Sequence, residues 1–244
     1  MRLLVMAGTG EARALCQRLA GDARVEVLAS LAGETRVPAD LGVAVRRGGF
    51  GGGIAQEKFI LDNEISAVID ATHPFAERIS HRTHAICARL GLPCLRLIRP
   101  GWQAEDGGTW TVAGGRQWGS GRVGGTVRVF CGAGGEGLAG VVNVAGRGGV
   151  CGVIDRREGP FRLRGGGFVV GRPPFTVEGE VRLFTREGVD VLVAKDAGGE
   201  AGKAKLLAAR RLGIQVILIR RPPLPPGART GTVAGALDWL EGLL

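Results

Sequence analysis

The residues best suited to chemistry stand together in the segment Asp70–Ala76, which has the sequence Asp-Ala-Thr-His-Pro-Phe-Ala and directly follows the apolar run Ile65–Ile69. An acid, a hydroxyl and an imidazole therefore come straight after a segment typical of a buried strand. Pro74 fixes its own backbone angle and favours an extended conformation at His73. Because ligands bind beyond the carboxyl ends of strands in an open parallel sheet, we predict that Thr72–Phe75 line a site. The alternative is a histidine that only caps the loop.

A turn that suits phosphate follows the first predicted strand. Gly8, Thr9, Gly10 and Glu11 come after an apolar run and open a helical pattern. Backbone amides at the start of a helix bind phosphate groups, which predicts that this turn holds a nucleotide. Arg13 stands where the dinucleotide fingerprint has its third glycine, so the motif is incomplete. The alternative is a turn that only packs the helix on the sheet.

The end of the second predicted strand indicates which dinucleotide that turn would hold. An NAD-binding unit places Asp or Glu here, on the ribose 2′-hydroxyl. This strand instead ends in Ser30, Leu31, Ala32 and Gly33, and Arg36 follows closely. A hydroxyl and a guanidinium suit a 2′-phosphate, so we predict NADPH. The alternative is an ordinary polar loop.

A glycine run follows the third predicted strand. The segment Gly48–Gly53 contains five glycines around Phe50. Such a run lets the backbone of Gly49 and Gly51 approach a ligand closely, and the alternative is a mobile loop. An exposed aromatic ring among glycines tends to cover something flat, so Phe50 is a further candidate for contact with the cofactor.

The second half of the chain repeats the strand-end pattern. Lys195, Asp196, Gly198 and Gly199 follow an apolar strand and precede a helix. A lysine among small residues presents a cation and backbone amides to an anion, or supplies a proton. The alternative is a helix capped by Asp196 beside a solvated lysine. Arg172, in a loop with two prolines, is a further cation for the same site.

Three histidines lie close together in the sequence, which raises the question of a metal site. On the helix predicted over Ala76–Leu90, the apolar stripe places His81 on the far face and His84 on its flank. We therefore predict that both are solvated and that the chain has no metal site. The five cysteines form no C-x-x-C pair, which fits reduced thiols in a cytoplasmic protein.

The formal net charge of +9 comes mostly from arginine, since lysine occurs only at 58, 195, 203 and 205. The basic residues are spread along the chain without a recognised nucleic-acid motif, so we predict no nucleic-acid partner. Compositional drift explains the surplus, and so does a small ligand with many carboxylates, which arginine binds through paired hydrogen bonds. The sequence has no apolar run of membrane-spanning length and starts on a strand pattern rather than a signal peptide, so we predict no membrane partner.

Alternating strands and helices must position these residues. The pattern predicts strands at 3–7, 25–30, 43–46, 67–70, 94–98, 126–131, 189–194 and 215–219, and helices at 11–19, 55–63, 76–90, 177–187, 201–212 and 233–243. Such alternation predicts mainly parallel sheets with helices on both faces. We predict two Rossmann-like α/β domains, 1–100 and 101–244, with the active site in the cleft between them. The terminal helix, 232–244, fits either domain, and the similar segments Leu90–Pro100 and Leu212–Pro222 suggest related halves.

Taken together, the motifs resemble the pattern of the precorrin-6A reductase family of corrin (vitamin B12) biosynthesis. The resemblance runs along the chain through Gly-Thr-x-Glu-Ala from Gly8, Ser-Leu-Ala-Gly from Ser30, Gly-Gly-Phe-Gly-Gly from Gly48, Asp-Ala-Thr-His-Pro-Phe-Ala from Asp70, Arg-Leu-x-Arg-Pro-x-Trp from Arg96, a Gly-Pro-Phe-like loop at Pro173 with Glu180, and Lys-x-x-Gly-Gly from Lys195. The family usually has Asn-Ser where this chain has Asp196 and Ala197, which weakens a direct catalytic role for residue 196.

The resemblance implies an oxidoreductase that uses NADPH to reduce one double bond of precorrin-6A, giving precorrin-6B. It implies cofactor contacts by the four stretches of the first domain and Arg36, substrate contacts by Arg172, Lys195 and the residues after it, and catalytic roles for Lys195 and His73. Its partners are then a polycarboxylated tetrapyrrole and other corrin-pathway enzymes. Three alternatives stay open: a cobalt-precorrin-6A reductase using NADH, a reductase or dehydratase of another carboxylated substrate, and a non-catalytic module that binds a nucleotide or polyanion.

Overall fold

The computed structural model describes residues 1–33, 40–103, 110–113, 128–132, 149–153, 167–171 and 174–244. Within these ranges the chain forms two units: Met1–Pro100 together with Pro222–Leu244 is the first, and Gly101–Arg221 is the second. Each unit contains one six-stranded sheet in which every neighbouring pair of strands is parallel. The predicted α/β class with mainly parallel sheets is therefore confirmed.

The elements are numbered along the chain. The strands are β1 (Arg2–Met6), β2 (Glu26–Leu31), β3 (Ala44–Arg47), β4 (Ala67–Asp70), β5 (Cys94–Leu97), β6 (Trp110–Ala113), β7 (Val129–Cys131), β8 (Gly149–Val153), β9 (Gly167–Val170), β10 (Val191–Lys195), β11 (Gln215–Ile219) and β12 (Ala228–Thr230). The helices are α1 (Gly10–Leu19), α2 (Gly53–Asp62), α3 (Glu77–Leu90), α4 (Val177–Glu187), α5 (Lys203–Arg211) and α6 (Val233–Glu241), with a 3₁₀ turn over Glu200–Gly202. None of the described helices is long and apolar enough to cross a bilayer.

The two sheets share one topology. The first has the order β3-β2-β1-β4-β5-β12 and the second has the order β9-β8-β7-β10-β11-β6. In each sheet the strand order reverses at the central pair, β1/β4 or β7/β10, which is where open parallel sheets bind ligands. The two sheets differ in the origin of the last strand in these orders. In the first sheet it is β12, which follows the second unit in the sequence, and in the second sheet it is β6, which precedes β7. The similar segments Leu90–Pro100 and Leu212–Pro222 contain β5 and β11, which occupy matching positions.

The central strands of the first sheet, β1 and β4, are buried on both faces. Along β1, Leu3 and Val5 pack in the cluster with α1 and α6, whereas Leu4 and Met6 pack in the cluster with α2 and α3. Successive side chains of a strand point to opposite faces, so a strand covered on both sides must be apolar throughout. That requirement explains the continuous apolar runs from which the sequence predicted strands.

The core of the second unit fixes the helices that reach its carboxyl edge. Phe130 on β7 and Phe184 on α4 lie with ring centroids 5.0 Å apart. Leu192 on β10 and Leu206 on α5 are fully buried in the same cluster. The first turns of α4 and α5, which begin at the carboxyl edge of a parallel sheet, are thereby held against the strands.

The structure corrects the predicted course of the chain. The second domain predicted over 101–244 is too long, because the residues from Pro222 onward rejoin the first unit. Strand β12 pairs with β5 as a parallel neighbour, and α6 buries Ala236 and Leu240 in the cluster around β1. The terminal helix, 232–244, therefore packs on the first unit.

Replacing Leu240 by alanine tests this placement of α6. The side chain is 2 % exposed in the cluster of the first unit, and truncating a buried leucine costs about 2–5 kcal/mol of unfolding free energy. We expect amide hydrogen exchange to accelerate in β1 and β4 while β10 keeps its protection. Leu243→Ala is the control, because that side chain is 37 % exposed and its truncation should cost no more than about 0.5 kcal/mol. Loss of protection in β10 alone would place α6 with the second unit.

Candidate functional site

Four predicted stretches meet at one edge of the first sheet. The turns after β1, β2, β3 and β4 leave the carboxyl ends of parallel strands, so they lie along the same edge. They contain Gly8–Glu11, Ser30–Gly33, Gly49–Gly51 and Thr72–Phe75. Because β1 lies between β2 and β4, the glycine turn after β1 is central in the row. The predicted Arg36 lies outside the described residues.

The turn after β1 is open to a ligand and tied to its neighbour. Gly8 has φ +137°, a conformation that L side chains rarely adopt, and a Cβ placed there would meet no atom of the described residues within 4 Å. The Thr9 hydroxyl caps α1 by accepting from the Ala12 amide at 3.1 Å, and it donates to the Ala71 carbonyl at 2.8 Å. The start of α1, where the helix dipole favours an anion, is therefore held beside the loop after β4.

A buried ion pair organises the loop after β4. Asp70 and Arg96 are 0 % and 2 % exposed, and Arg96 Nη1 lies 2.6 Å from Asp70 Oδ1. The guanidinium also donates to the Asp70 carbonyl at 3.1 Å, to Thr72 Oγ1 at 2.9 Å and to the His73 carbonyl at 3.4 Å. Burial lowers the pKa of Arg96, and the attraction of the Asp70 carboxylate opposes that shift. The acid of the motif therefore fixes the backbone of the loop instead of facing a ligand.

His73 lies partly exposed at the carboxyl edge. Its Nδ1 accepts from the Phe75 amide at 3.2 Å, which is the loop-capping contact considered as an alternative. The rings of His73 and Phe75 lie 5.9 Å apart between centroids. Thr72 and Pro74 are buried and shape the loop, whereas His73 and Phe75 are its partly exposed members. A catalytic role for His73 stays a prediction.

The prediction that His84 is solvated is wrong. The imidazole is buried, with Nε2 3.7 Å from Asp70 Oδ2. The cause is the returning chain, since a Cβ on Gly227 would lie 3.7 Å from His84 Nδ1. Burial lowers the pKa of His84 and so favours the neutral ring. His81 is partly exposed, with Nε2 2.9 Å from the Pro223 carbonyl oxygen, and the described residues contain no group of three or more His, Cys, Asp or Glu that could hold a metal ion.

Arg46 is the site residue that the sequence analysis missed. Parallel pairing of β2 with β3 places it beside Ser30, and its Nη1 donates to Ser30 Oγ at 2.9 Å. Its Nη2 donates to the Gly49 carbonyl at 3.1 Å. Both acceptors are neutral, so a cation without a carboxylate partner among the described residues stands at the end of β2. That arrangement can receive an anionic group.

The Phe50 ring packs against a guanidinium of the same unit. The guanidinium of Arg46 lies 4.0 Å from the Phe50 ring centroid, and Phe59 meets the same ring nearly edge-on at 5.3 Å. Phe50 therefore supports the arginine, and its predicted contact with a cofactor stays untested. The signal that identifies Arg46 is the register of Ser30 with Arg46, which a single sequence does not contain.

At the second sheet, the lysine that ends β10 is partly exposed, whereas the aspartate after it is engaged in contacts within the unit. Lys195 ends β10 and is partly exposed at the carboxyl edge. The Asp196 carboxylate is engaged within the unit: Oδ1 accepts from the Trp102 amide at 3.0 Å, and Oδ2 lies 3.5 Å from Arg221 Nε. The Gly199 carbonyl accepts from the Trp102 indole at 2.9 Å. These contacts give Asp196 the structural task of holding the residues where the chain enters and leaves the unit.

Three further residues were predicted to line the two sites: Glu11, Gly198 and Arg172. Glu11 forms an ion pair with Arg99, with Oε2 and Nη1 2.6 Å apart, so its carboxylate is engaged within the first unit. Gly198 has φ +66°, which lets the chain turn sharply after β10. Arg172 lies outside the described residues.

Comparisons with known proteins point in one direction. The family model described as "Precorrin-6x reductase CbiJ/CobK" matches residues 2–241. The precorrin-6A reductase of Rhodobacter capsulatus is 38% identical over 247 residues, which cover 98% of this chain and 95% of that protein. The precorrin-6A reductase of Rhodococcus erythropolis is 38% identical over 245 residues, covering 99% and 98%. A solved structure described as CobK precorrin-6A reductase matches with a TM-score of 0.92 at 37% identity, covering 99% of this chain and 96% of the other.

Replacing the two charged residues of the ion pair tests how much Asp70 and Arg96 together stabilise the first unit. Removing one partner leaves a buried unpaired charge, so Arg96→Met and Asp70→Asn should each cost about 3–5 kcal/mol of unfolding free energy. The double variant buries no charge, and we expect it to cost less than the sum of the two single changes. Urea unfolding of the four proteins measures these values.

The exposed pair of Lys58 and Asp62, 2.8 Å apart, provides the matched control. Lys58→Met should cost no more than about 1 kcal/mol, because exposed ion pairs contribute little. Additive effects of the two buried changes would show that Asp70 and Arg96 do not act as one unit.

Proposed function

This chain belongs to the precorrin-6x reductase family, as its motifs predicted, and from that premise we propose that it reduces precorrin-6A to precorrin-6B with NADPH. It is an oxidoreductase of cobalamin biosynthesis. The two relatives described above are named precorrin-6A reductases. Their names support the metal-free macrocycle, rather than its cobalt-containing equivalent, as the substrate of this chain.

The observation that carries the choice of cofactor is the cation at the end of β2. Units that prefer NAD place an acid there for the ribose 2′-hydroxyl, whereas a nearby arginine accommodates a 2′-phosphate. Ser30 occupies that end of β2, and the segment Ser30–Gly33 contains no acid. Arg46 donates to Ser30 and has no carboxylate partner among the described residues. This pairing supports NADPH over NADH.

The other residues of the edge fit a bound dinucleotide. The open turn at Gly8 leaves room for a phosphate against backbone amides, and the start of α1 favours its charge. The bond from Thr9 to Ala71 holds this turn in register with the loop after β4. Gly49–Gly51 supplies further backbone that a ligand can approach closely. When bound, the nicotinamide supplies a hydride.

His73 is the candidate for contact with the reacting groups in the first unit. Because its Nδ1 accepts from the Phe75 amide, the neutral ring carries its hydrogen on Nε2. Nε2 can then donate a hydrogen bond to an acceptor beyond the carboxyl edge. We assign Lys195, at the corresponding edge of the second sheet, to a carboxylate of the substrate, together with Arg172. The predicted cleft between two domains stays a prediction.

An anaerobic assay of the purified protein with precorrin-6A tests the reaction. We expect the spectrum of the macrocycle and the absorbance of the reduced nicotinamide to change together with NADPH. Turnover with NADH but not NADPH would keep the enzyme and overturn the choice of cofactor. Faster turnover of cobalt-precorrin-6A would overturn the choice of substrate, and no turnover of substrate that a known reductase accepts would overturn the proposed reaction.

Replacing Arg46 by glutamine tests the 2′-phosphate contact by binding alone. A hydrogen bond between charged groups contributes about 1.5–3 kcal/mol, so the Kd for NADPH should rise about tenfold or more while the Kd for NADH stays nearly constant. Calorimetric titration of both nucleotides measures this. Arg47→Gln is the matched control, because Arg47 is the next residue of β3 and is exposed. An equal loss of affinity for NADPH and NADH in the Arg46 variant would show that Arg46 does not bind the 2′-phosphate.

A further inference from the structure

The second sheet has a charged side chain at its carboxyl edge that the proposed function does not use. Lys205 lies in the first turn of α5, which follows β10. Its side chain reaches Gly132, the residue after β7, where an added Cβ would lie 3.4 Å from both Cδ and Nζ of the lysine. The strands β7 and β10 are the central pair at which the strand order reverses. Lys205 therefore lies where a sheet of this topology binds its ligand.

Glu180 is the acid that accompanies this lysine. It lies near the start of α4, is 6 % exposed, and its Oε2 is buried without a hydrogen-bond partner among the described residues. The shared cluster that contains Phe184 and Leu206 holds α4 and α5 in place. Within the described part of the chain, Lys205 has no ion-pair partner, and its ammonium lies 6.0 Å from the Phe175 ring centroid. The two opposite charges thus lie on helices that pack in one cluster, and no ion pair joins them within the described residues.

Burial shifts the pKa values of the two groups toward each other. It raises the pKa of Glu180 and lowers the pKa of Lys205, and the attraction between the two groups opposes both shifts. Among the described residues, Cys131 on β7 also acts on the lysine, and it favours the charged ammonium. A lysine whose pKa is lowered gives up a proton more readily than a solvated one.

We propose that Lys205 donates the proton consumed in the reduction and that Glu180 is the positioning residue that keeps this lysine protonated between turnovers. The proposal rests on the proposed function, because it needs a reaction that takes up a proton. It also explains why this part of the edge combines a glycine, which leaves space for the lysine, with an acid whose Oε2 has no hydrogen-bond partner among the described residues.

The step balances as follows in atoms and charge. Reduction of one double bond of the macrocycle adds a hydride, with its electron pair, to one atom and a proton to the neighbouring carbon. The hydride comes from reduced nicotinamide, which is oxidised. At Lys205 an N–H bond breaks as the new C–H bond forms, leaving a neutral amine. The amine then takes up a proton (H⁺) from the solvent, so that one turnover consumes one H⁺ in total, and the negative charge of Glu180 favours that uptake.

Arginine separates this task from simple anion binding. A lysine that only holds a substrate carboxylate can be replaced by arginine, which binds carboxylates at least as well. Arginine does not release a proton near neutral pH, because its guanidinium stays protonated in proteins. A proton donor at residue 205 therefore tolerates neither arginine nor methionine.

The kinetic experiment compares Lys205→Arg, Lys205→Met and Glu180→Gln with the wild type across pH. Loss of general acid catalysis typically costs on the order of 10²–10⁴-fold, so kcat should fall about a hundredfold or more in both Lys205 variants. In Glu180→Gln the fall of kcat on the basic side should begin at lower pH, because the lysine loses the charge that holds its proton. Lys203→Met, two residues away on α5, should keep the wild-type profile. Wild-type kcat in Lys205→Arg would overturn the proposal.

A second readout does not depend on turnover. The chain has four lysines, at 58, 195, 203 and 205, so protein labelled with ¹³C at lysine Cε gives a small set of resonances that Lys→Arg variants assign. We expect the Lys205 resonance to titrate at lower pH than that of Lys58, whose side chain is 73% exposed, and at still lower pH in Glu180→Gln. Titration of Lys205 together with Lys58 would overturn the proposal even in an active enzyme.

The two readouts also separate this proposal from the proposed function. A wild type that turns over precorrin-6A while the Lys205 variants keep its kcat overturns the proton donor and leaves the reaction intact. A wild type without turnover, on substrate that a known reductase accepts, overturns the reaction and the proton donor with it. The resonance of Lys205 then still shows whether the lysine holds its proton weakly.

Discussion

Asp70 and Arg96 face each other at neighbouring strands, both withdrawn from water, and the carboxyl edge of the first unit depends on how their charges are satisfied. A buried charge is tolerated when it is paired and hydrogen-bonded, so each group restricts the other to one geometry. The donors that Arg96 has left are directed at the carbonyls of Asp70 and His73. Through Ala71 the same loop accepts the hydroxyl of Thr9. The glycine turn after β1 and the imidazole of His73 therefore both take their positions from one ion pair.

The two units use their shared topology for different chemistry. At the central pair of the first sheet, an open glycine turn and the start of a helix offer backbone amides. At the corresponding pair of the second sheet, Gly132 leaves space for the side chain of Lys205. One edge thus exposes backbone amides, and the other carries a lysine on a helix that packs with the helix of a buried acid. A common arrangement of strands sets where ligands bind, whereas the residues after each strand decide the chemistry.

Sequence reasoning predicted the elements whose period is clear and missed those that depend on distant chain. The apolar runs of β1 and β4 and the stripe of α1 are visible locally because burial imposes them. The strand β12 has three residues, Ala-Arg-Thr, and becomes a strand through its pairing with β5. His84 is buried because a segment more than a hundred residues later covers it, and Arg46 meets Ser30 through a register that no local pattern encodes. The motif loops, by contrast, were found because their residue types are unusual at strand ends.

The return of the chain to the first sheet gives its synthesis a fixed order of events. Strand β12 and helix α6 span Ala228–Thr230 and Val233–Glu241, at the end of the sequence. Until those residues leave the ribosome, β5 is an edge strand with β4 as its neighbour. The side of β1 that α6 later covers still lacks the contact with Leu240. An open parallel edge is a surface on which nascent chains associate. Of the two units, the one whose translation begins first is therefore completed second, and a ribosome that stops before Pro222 releases a chain whose first sheet lacks β12.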